Sequence, residues 1–291
     1  MYTENQRKIL EELAEQSDLL FSKGVIRTDS FTGEIGEYFV STHFRLVKEN
    51  RSTRSVDARD VNNKAYQIKA KVTNNDSYSF SINKLNVSEI DFLCVIYFDE
   101  LYTPKRIIKI ESQYLPGAKF AIPSSFPNNT SFEETKGEQI NISEDIRNEV
   151  KKFGEIFSLL KKEGVVKSRR IVGDVGEFYA CDKLNLSQPS NKNHKGWDAV
   201  DKNNMTYEIK TRRVYQSERR KSKTWRVNGL VGKKADFLVL VILDKAFRCN
   251  GMWKMPLANI INPKSANLSS IIKNTEGIVE IVPTNLDWLK K

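Results

Sequence analysis

An internal repeat with an offset of about 140 residues constrains this chain more than any other feature. A period this long predicts two copies of a domain rather than a solenoid of short repeats. The 291 residues are also enough for two domains that each bury a core. Five blocks recur in the same order: Gly24–Ile26 with Gly164–Val166, Gly33–Tyr38 with Gly173–Phe178, Val56–Ala58 with Trp197–Ala199, Tyr66–Lys71 with Tyr207–Arg212, and Ile90–Ile96 with Ala235–Val241.

Each copy is predicted to contain two helices and one buried strand. Apolar residues at helical spacing indicate the helices, and continuous apolar runs are typical of buried central strands. We expect these elements at residues 4–22, 33–44 and 92–97 in the first copy, and at 144–162, 173–184 and 237–243 in the second. We divide the chain into an N-terminal domain (1–111), a connection rich in Pro, Ser, Asn and Gly (112–143) and a C-terminal domain (144–291). The alternative for the connection is that part of it folds against the first domain.

The charge is unevenly distributed between the copies. Residues 1–150 carry 19 lysines and arginines against 23 acidic residues, a net charge of −4. Residues 151–291 carry 28 against 14, a net charge of +14. A domain this basic is a candidate for binding a polyanion, because neutralised phosphates release counterions. The alternative is a soluble surface with surplus lysine.

Several classes of protein are disfavoured by the composition. No apolar run reaches transmembrane length and the N-terminus is polar, so we expect neither a membrane span nor a signal peptide. Three scattered cysteines indicate neither a disulfide framework nor a zinc site, and two histidines are too few for a histidine-based metal site. We therefore expect a cytoplasmic protein.

Asp198, Glu208 and Lys210 fall on a predicted β-hairpin in the second copy. Residues 201–204 form a polar turn, and residues 207–211 then alternate apolar and polar. With a period of two, Glu208 and Lys210 share one face of the second strand, and Asp198 is brought back beside them. Two acidic oxygen ligands and an amine are the minimum set for holding Mg²⁺ and activating a water against a phosphodiester. The alternative is a hairpin with structural salt bridges.

This order of elements resembles the PD-(D/E)xK nuclease superfamily, which has the restriction-endonuclease-like fold. Glu177, Asp198, Glu208 and Lys210 carry the resemblance, which spans roughly residues 164–243 and again 24–98. Trp197 stands where the family often has proline. The resemblance implies an α/β protein with two tandem restriction-endonuclease-like domains, each a mixed central β-sheet flanked by helices.

The resemblance also implies roles for individual residues of the second copy. Asp198 and Glu208 become ligands of Mg²⁺ or Mn²⁺, and Lys210 becomes the catalytic amine. Glu177 becomes an accessory acid that assists the metal shell, and its alternative is a solvated acid near a helix start.

The first copy departs from this set at one position, since Gln67 stands where Glu208 stands in the second copy. Asp57, Lys69 and Glu37 are kept, so the four residues define a second candidate site. A neutral amide offers a carbonyl oxygen to a metal but adds no charge, so the metal affinity should fall. The sequence favours a reduced or structural role here, with a working second site as the alternative.

A basic segment directly follows the Glu-x-Lys strand of the second copy. Its arginines and lysines are suited to gripping phosphates, and its aromatic residues to stacking or wedging. The alternative is an ordinary solvated helix or loop. The candidate DNA-binding residues are Arg212, Arg213, Arg219, Arg220, Lys221, Lys223, Trp225 and Arg226.

The leading expectation is a divalent-metal-dependent endonuclease that hydrolyses DNA in a restriction or phage-defence setting. The substrate is expected to be double-stranded, and the second copy to be catalytic. Cutting both strands of a duplex needs two active sites or one site that acts twice. Two sites would be supplied either by the two copies or by a homodimer. Two alternatives stay open: a non-catalytic nucleic-acid-binding protein with a nuclease fold, and a nuclease that acts on RNA or branched DNA.

Overall fold

A computed structural model describes residues 2–50, 53, 55–73, 79–122, 132–189, 196–214, 225–264 and 266–289. The described chain is mixed α/β, as expected from the sequence. It divides into two compact units, one formed by Glu15–Leu159 and the other by Met1–Ala14 together with Leu160–Lys291.

Both copies begin with two helices that are followed by the strands of a sheet, and some of the other elements occur in only one copy. The elements up to residue 136 are α1 (Glu4–Ser22), α2 (Phe31–His43), β1 (Val47–Lys48), β2 (Ala58–Arg59), β3 (Ala65–Val72), β4 (Phe80–Ile82), β5 (Phe92–Phe98), β6 (Pro104–Glu111), β7 (Phe120–Ile122) and β8 (Glu133–Lys136). The later elements are α3 (Glu144–Lys162), α4 (Ile171–Leu184), β9 (Ala199–Val200), β10 (Thr206–Arg213), β11 (Phe237–Leu243), β12 (Cys249–Pro256), α5 (Leu268–Asn274) and β13 (Val279–Val282). The predicted helices and apolar strands are confirmed, with α2 and α4 beginning two residues earlier than expected.

Each unit contains a mixed sheet with one parallel pair at its centre. The first sheet has the order β1-β2-β3-β5-β6-β8, and the second has the order β13-β12-β11-β10-β9. The parallel pairs are β3 with β5 and β10 with β11, and Tyr66 faces Phe92 just as Tyr207 faces Phe237. The two sheets therefore repeat not only the order of the strands but also their register.

An aspartate lies directly before the second strand of each parallel pair and links it to the first. Asp236 Oδ2 accepts the backbone N–H of Thr206 at 2.7 Å, and Asp91 Oδ2 accepts that of Ala65 at 2.8 Å. Because these carboxylates accept backbone donors at the strand ends, their repetition in both copies has a structural explanation.

A glycine allows the second helix of each copy to approach the sheet. Gly176 of α4 packs on Thr211 of β10, where an added Cβ would overlap the threonine side chain. Gly36 of α2 packs in the same way on Ala70 of β3. The second glycine of the repeated Gly-x-x-Gly-Glu block thus has a packing role, and the close approach places the following glutamate over the sheet.

Some parts of the chain fold in ways that the sequence did not indicate. Within the predicted connection at 112–143, β8 pairs with β6 and β7 pairs with β4. The C-terminal part of the chain adds β13 to the edge strand β12. Residues 4–14 of α1 belong to the unit that contains the second sheet, and residues 144–159 of α3 belong to the other unit.

Candidate active site

The hairpin predicted around Asp198 is formed by β9 and β10. Val200 pairs with Thr206, and the turn between them is closed by Asp201. The Oδ1 atom of Asp201 accepts the backbone N–H groups of Asn203 and Met205 at 2.9 and 3.0 Å. The carboxylate of Asp201 therefore stabilises the turn that brings the two strands together.

Asp198 lies directly before β9 and is bound to β10 at two points. Its backbone N–H donates to the carbonyl of Tyr207 at 2.7 Å, and its Oδ2 accepts the backbone N–H of Ile209 at 2.8 Å. One carboxylate oxygen of Asp198 is thus fixed beside the strand that carries Glu208 and Lys210.

The Glu208 carboxylate lies between two amines. Lys210 Nζ is 2.5 Å from Oε1, which confirms that these two side chains share one face of β10. Lys233 Nζ is 2.7 Å from Oε2, as an ion-pair contact rather than an aligned hydrogen bond. Only 1% of the Glu208 side chain is exposed, against 23% for Lys210 and 30% for Lys233. Burying a carboxylate this deeply is costly unless it has such partners.

Glu177 reaches the same site from α4. Its Oε2 accepts a hydrogen bond from Gln188 Nε2 at 2.9 Å. Burial is the main cause that raises the pKa of Glu177 to about 7, and the negative charge of Asp198 is the second cause. The pKa of Asp198 is also raised, chiefly by burial and also by Glu208, against the opposing effect of the Ile209 N–H. Asp198 therefore lies close enough to interact unfavourably with both Glu177 and Glu208.

The corresponding site of the first copy is held together differently. Asp57 Oδ2 accepts the backbone N–H of Ile68 at 2.6 Å and also a hydrogen bond from the Gln67 side chain. Glu37 Oε2 accepts a 2.5 Å hydrogen bond from Arg27 Nη2. Lys69 is half-buried on β3. The acids here are thus satisfied by an amide and a guanidinium.

A lysine on β1 distinguishes the first site from its counterpart. Lys48 on β1 occupies the position of Gln188, since Val47 pairs with Arg59 as Ser187 pairs with Val200. Burial is the main cause that lowers the pKa of Lys48 to about 8. Burial also raises the pKa of Glu37 to about 6, with a further contribution from Asp57. Sequence reasoning missed Lys48, although the repeat places it opposite Gln188.

The described part of the predicted DNA-binding segment consists of Arg212, Arg213, Trp225 and Arg226. Arg226 is exposed, and its carbonyl accepts a 2.8 Å hydrogen bond from Arg212 Nη2. Trp225 is half-buried against the apolar core of its unit. The other predicted contacts, Arg219, Arg220, Lys221 and Lys223, lie outside the described residues.

Arg213 differs from the other arginines because its side chain is buried. Only 3% of Arg213 is exposed. Its guanidinium donates to the carbonyl of Lys245 at 2.5 and 3.1 Å and lies 3.8 Å from the ring centroid of Phe247. A guanidinium engaged in this way stabilises the turn after β11, so we do not include Arg213 in the proposed DNA interface.

Asp198 and Glu208 are the residues that suit a divalent cation. Among the described residues, no group of three or more His, Cys, Asp and Glu side chains is arranged to hold a metal ion. Mg²⁺, however, is commonly bound through one or two carboxylates and completes its shell with water and phosphate. Glu208 contributes to the raised pKa of Asp198, so a cation between the two carboxylates would relieve their repulsion. The two carboxylates therefore supply oxygen ligands of the kind that Mg²⁺ or Mn²⁺ would take.

No protein-family model matches the chain, and a comparison with curated proteins finds no match either. In the described parts of the chain, no helix is both long and apolar enough to span a membrane. The functional argument therefore depends on the side chains of the site and their contacts.

Proposed function

We propose that this protein is a divalent-metal-dependent endonuclease that hydrolyses DNA and has its catalytic site in the second copy. The observation that carries the proposal is the arrangement around Glu208. A carboxylate that is 1% exposed contacts Lys210 on the same strand face, and Asp198 is fixed beside that strand by Ile209. An Asp, a Glu and a Lys in this arrangement provide both ligands for a cation and an amine for an anionic substrate.

Asp198 and Glu208 are the residues that would hold Mg²⁺ or Mn²⁺. When bound, such an ion polarises the phosphodiester and lowers the pKa of a coordinated water. Lys210 offers an amine that orients the nucleophile and stabilises the charge that develops on the phosphate. Glu177, with a pKa of about 7, is suited to exchanging a proton near neutral pH.

The charge distribution supports DNA as the substrate. Residues 151–291 carry a net charge of +14, and the exposed Arg226 follows the catalytic strand in the chain. We infer that phosphate contacts are concentrated in this copy, on double-stranded DNA. A restriction or phage-defence role in the cytoplasm suits such an enzyme, and either a homodimer or one site acting twice would serve the two strands.

A second candidate is a nucleic-acid-binding protein without turnover. It is favoured by the two lysines that neutralise Glu208 and by the pairing of Gln67 with Asp57 in the first copy. On this alternative the second site would be a salt-bridged structural cluster, and the basic surface alone would be functional.

Asp198→Ala distinguishes the two candidates when cleavage and binding are measured on the same sample. A nuclease should lose Mg²⁺-dependent cleavage of duplex DNA and keep its affinity, which fluorescence anisotropy with a labelled duplex measures at fixed salt. Asp57→Ala is the matched control in the first copy and should keep cleavage. Tight, salt-sensitive binding by a wild type that cuts neither duplex, branched DNA nor RNA would favour the binding protein.

A further inference from the structure

The segment that contains Lys233 has a structural counterpart in the first copy. Aligning Asp236 with Asp91 places Leu230 opposite Leu85, and both leucines are buried. The residue before each leucine has a left-handed backbone, with φ of +75° at Gly229 and +60° at Lys84. The two segments match around these leucines and then diverge, because residues 87–89 form a 3₁₀ turn whereas Gly232 has a φ of +75°. Beyond the leucines the residues are therefore compared by sequence position.

This alignment places Ser88 opposite Lys233. Gln67 already stands opposite Glu208, so both members of the ion pair differ between the copies. The copy with a carboxylate on its central strand has a lysine on this segment, and the copy with a neutral amide has a neutral hydroxyl. The presence of the lysine thus accompanies the presence of the buried charge.

We propose that Lys233 is a further positioning residue of the site: it is an exchangeable counter-ion that holds Glu208 in place until a divalent cation displaces it. The inference depends on the proposed nuclease function, because it concerns the same carboxylate. A divalent cation and two ammonium groups around one carboxylate repel one another, so binding the cation requires that one amine withdraw.

Lys233 is better placed to withdraw than Lys210. Lys210 lies within β10, where its backbone is paired with Leu240 of the neighbouring strand. Lys233 follows Gly232, which has a φ of +75°, and the preceding Val231 is 65% exposed. The Lys233 side chain is also 30% exposed and so has a path to solvent. A long, flexible side chain at the edge of the site can exchange Glu208 for water or a substrate phosphate.

The experiment is a calorimetric titration of the DNA-free protein with Mn²⁺. Lys233→Met should bind Mn²⁺ about tenfold more tightly than the wild type, because the amine that competes for Glu208 is gone. Lys233→Arg keeps the charge and should retain the wild-type affinity. The neighbouring Lys234 is exposed, so Lys234→Met is the matched control and should not change the affinity.

Asp198→Asn and Glu208→Gln separate the failure of this inference from the failure of the proposed function. If both variants lose Mn²⁺ binding while Lys233→Met matches the wild type, the role of Lys233 is wrong and the metal site stands. If neither Asp198→Asn nor Glu208→Gln changes the affinity for Mn²⁺, the metal lies elsewhere and both proposals fail. Mn²⁺ binding by Lys233→Met with none by the wild type would support the inference, whereas no binding by either protein would overturn both.

Folding of each variant is checked by circular dichroism in EDTA before the titration. Should Lys233→Met prove unfolded, Lys233→Gln removes the charge and keeps a polar side chain at the same position. This variant should also bind Mn²⁺ about tenfold more tightly than the wild type, for the same reason. Wild-type affinity of a folded Lys233→Gln would overturn the inference.

Discussion

The ring of Tyr2 lies parallel to the ring of Phe178, with the two centroids 4.4 Å apart. The ring of Tyr179 meets the Tyr2 ring edge-on, with the two centroids 4.5 Å apart. The Tyr2 hydroxyl donates to the carbonyl of Val175 at 3.4 Å, although the two residues are 173 positions apart in the sequence. Tyr2 is 5% exposed. The N-terminal residues thus complete the core around α4, the helix that carries Glu177.

We expect Tyr2→Ala to destabilise the unit that contains the second sheet. Replacing a buried aromatic residue by alanine costs about 3 kcal/mol or more, because the transfer energy and the stacking are lost and a cavity is left. Urea unfolding monitored by circular dichroism measures the effect. Tyr2→Phe keeps the ring and loses only a long hydrogen bond, so it should stay within about 1 kcal/mol of the wild type. Equal stability of Tyr2→Ala and the wild type would contradict this packing.

Gly176→Ala should weaken the contact between α4 and β10. The new methyl group would overlap Thr211, and overpacking of this kind costs about 1–3 kcal/mol. Gly173→Ala on the same helix is the control, since its nearest neighbour would be Arg170 Cβ at 4.0 Å. That variant should be neutral or gain up to about 1 kcal/mol from the lower flexibility of alanine. Thermal unfolding of the two variants compares them directly, and equal losses would argue against the contact.

Glu177→Gln should alter the pH dependence of stability. The pKa of Glu177 in the folded protein is about 7, above its ordinary value of 4.5. Between these values the folded state holds a proton that the unfolded state has released, so the free energy of unfolding of the wild type falls as the pH rises. Glutamine removes this penalty, which is on the order of 2 kcal/mol above pH 7.

The measurement for Glu177→Gln is urea unfolding in EDTA at a series of pH values. Below about pH 4.5 the variant and the wild type should match, because the glutamate is protonated in both states. The gain should appear as the pH rises towards about 7 and then stay constant. The exposed Glu276→Gln should follow the wild type throughout. A gain for Glu177→Gln that is the same at every pH would show that ionisation is not its source.

Arg226→Ala should weaken DNA binding in a salt-dependent manner. Arg226 is exposed, and losing one phosphate contact should reduce the slope of log K against log salt by about 1. Anisotropy titrations of a duplex at several salt concentrations give this slope. Lys136→Ala removes an exposed lysine from the acidic first copy and should leave the slope unchanged. Equal slopes for Arg226→Ala and the wild type would place the phosphate contacts elsewhere.

The local structure around the site could be predicted from the sequence. Alternation along residues 207–211 placed Glu208 and Lys210 on one face of a strand, and the polar turn returned Asp198 to that strand. The same alternation, extended by two residues, puts Arg213 on the opposite face with Ile209 and Thr211, which are buried. The burial of Arg213 could therefore have been predicted from the alternation. It was missed because the neighbouring residues are basic, which favoured an exposed position that binds DNA.

Long-range contacts could not be predicted in this way. The ion pair between Lys233 and Glu208 joins β10 to the segment before β11, and no periodicity links residues across such a crossover. Tyr2 packs on Phe178 because residues 1–14 belong to the unit of the second sheet, whereas the repeat alone assigns them to the first copy. The sequence repeat already sets Gln67 opposite Glu208, but the reason to compare Ser88 with Lys233 appears only with the ion pair in the structure.

Plasmid cleavage by Lys210→Ala and Lys69→Ala tests the central proposal most directly. The two variants remove the equivalent lysine from β10 and β3, and each is compared with the wild type in Mg²⁺, in Mn²⁺ and in EDTA. A single catalytic copy predicts EDTA-sensitive cutting that Lys210→Ala abolishes and Lys69→Ala preserves. Cutting by Lys210→Ala at the wild-type rate, or nicking without linearisation by Lys69→Ala, would contradict it.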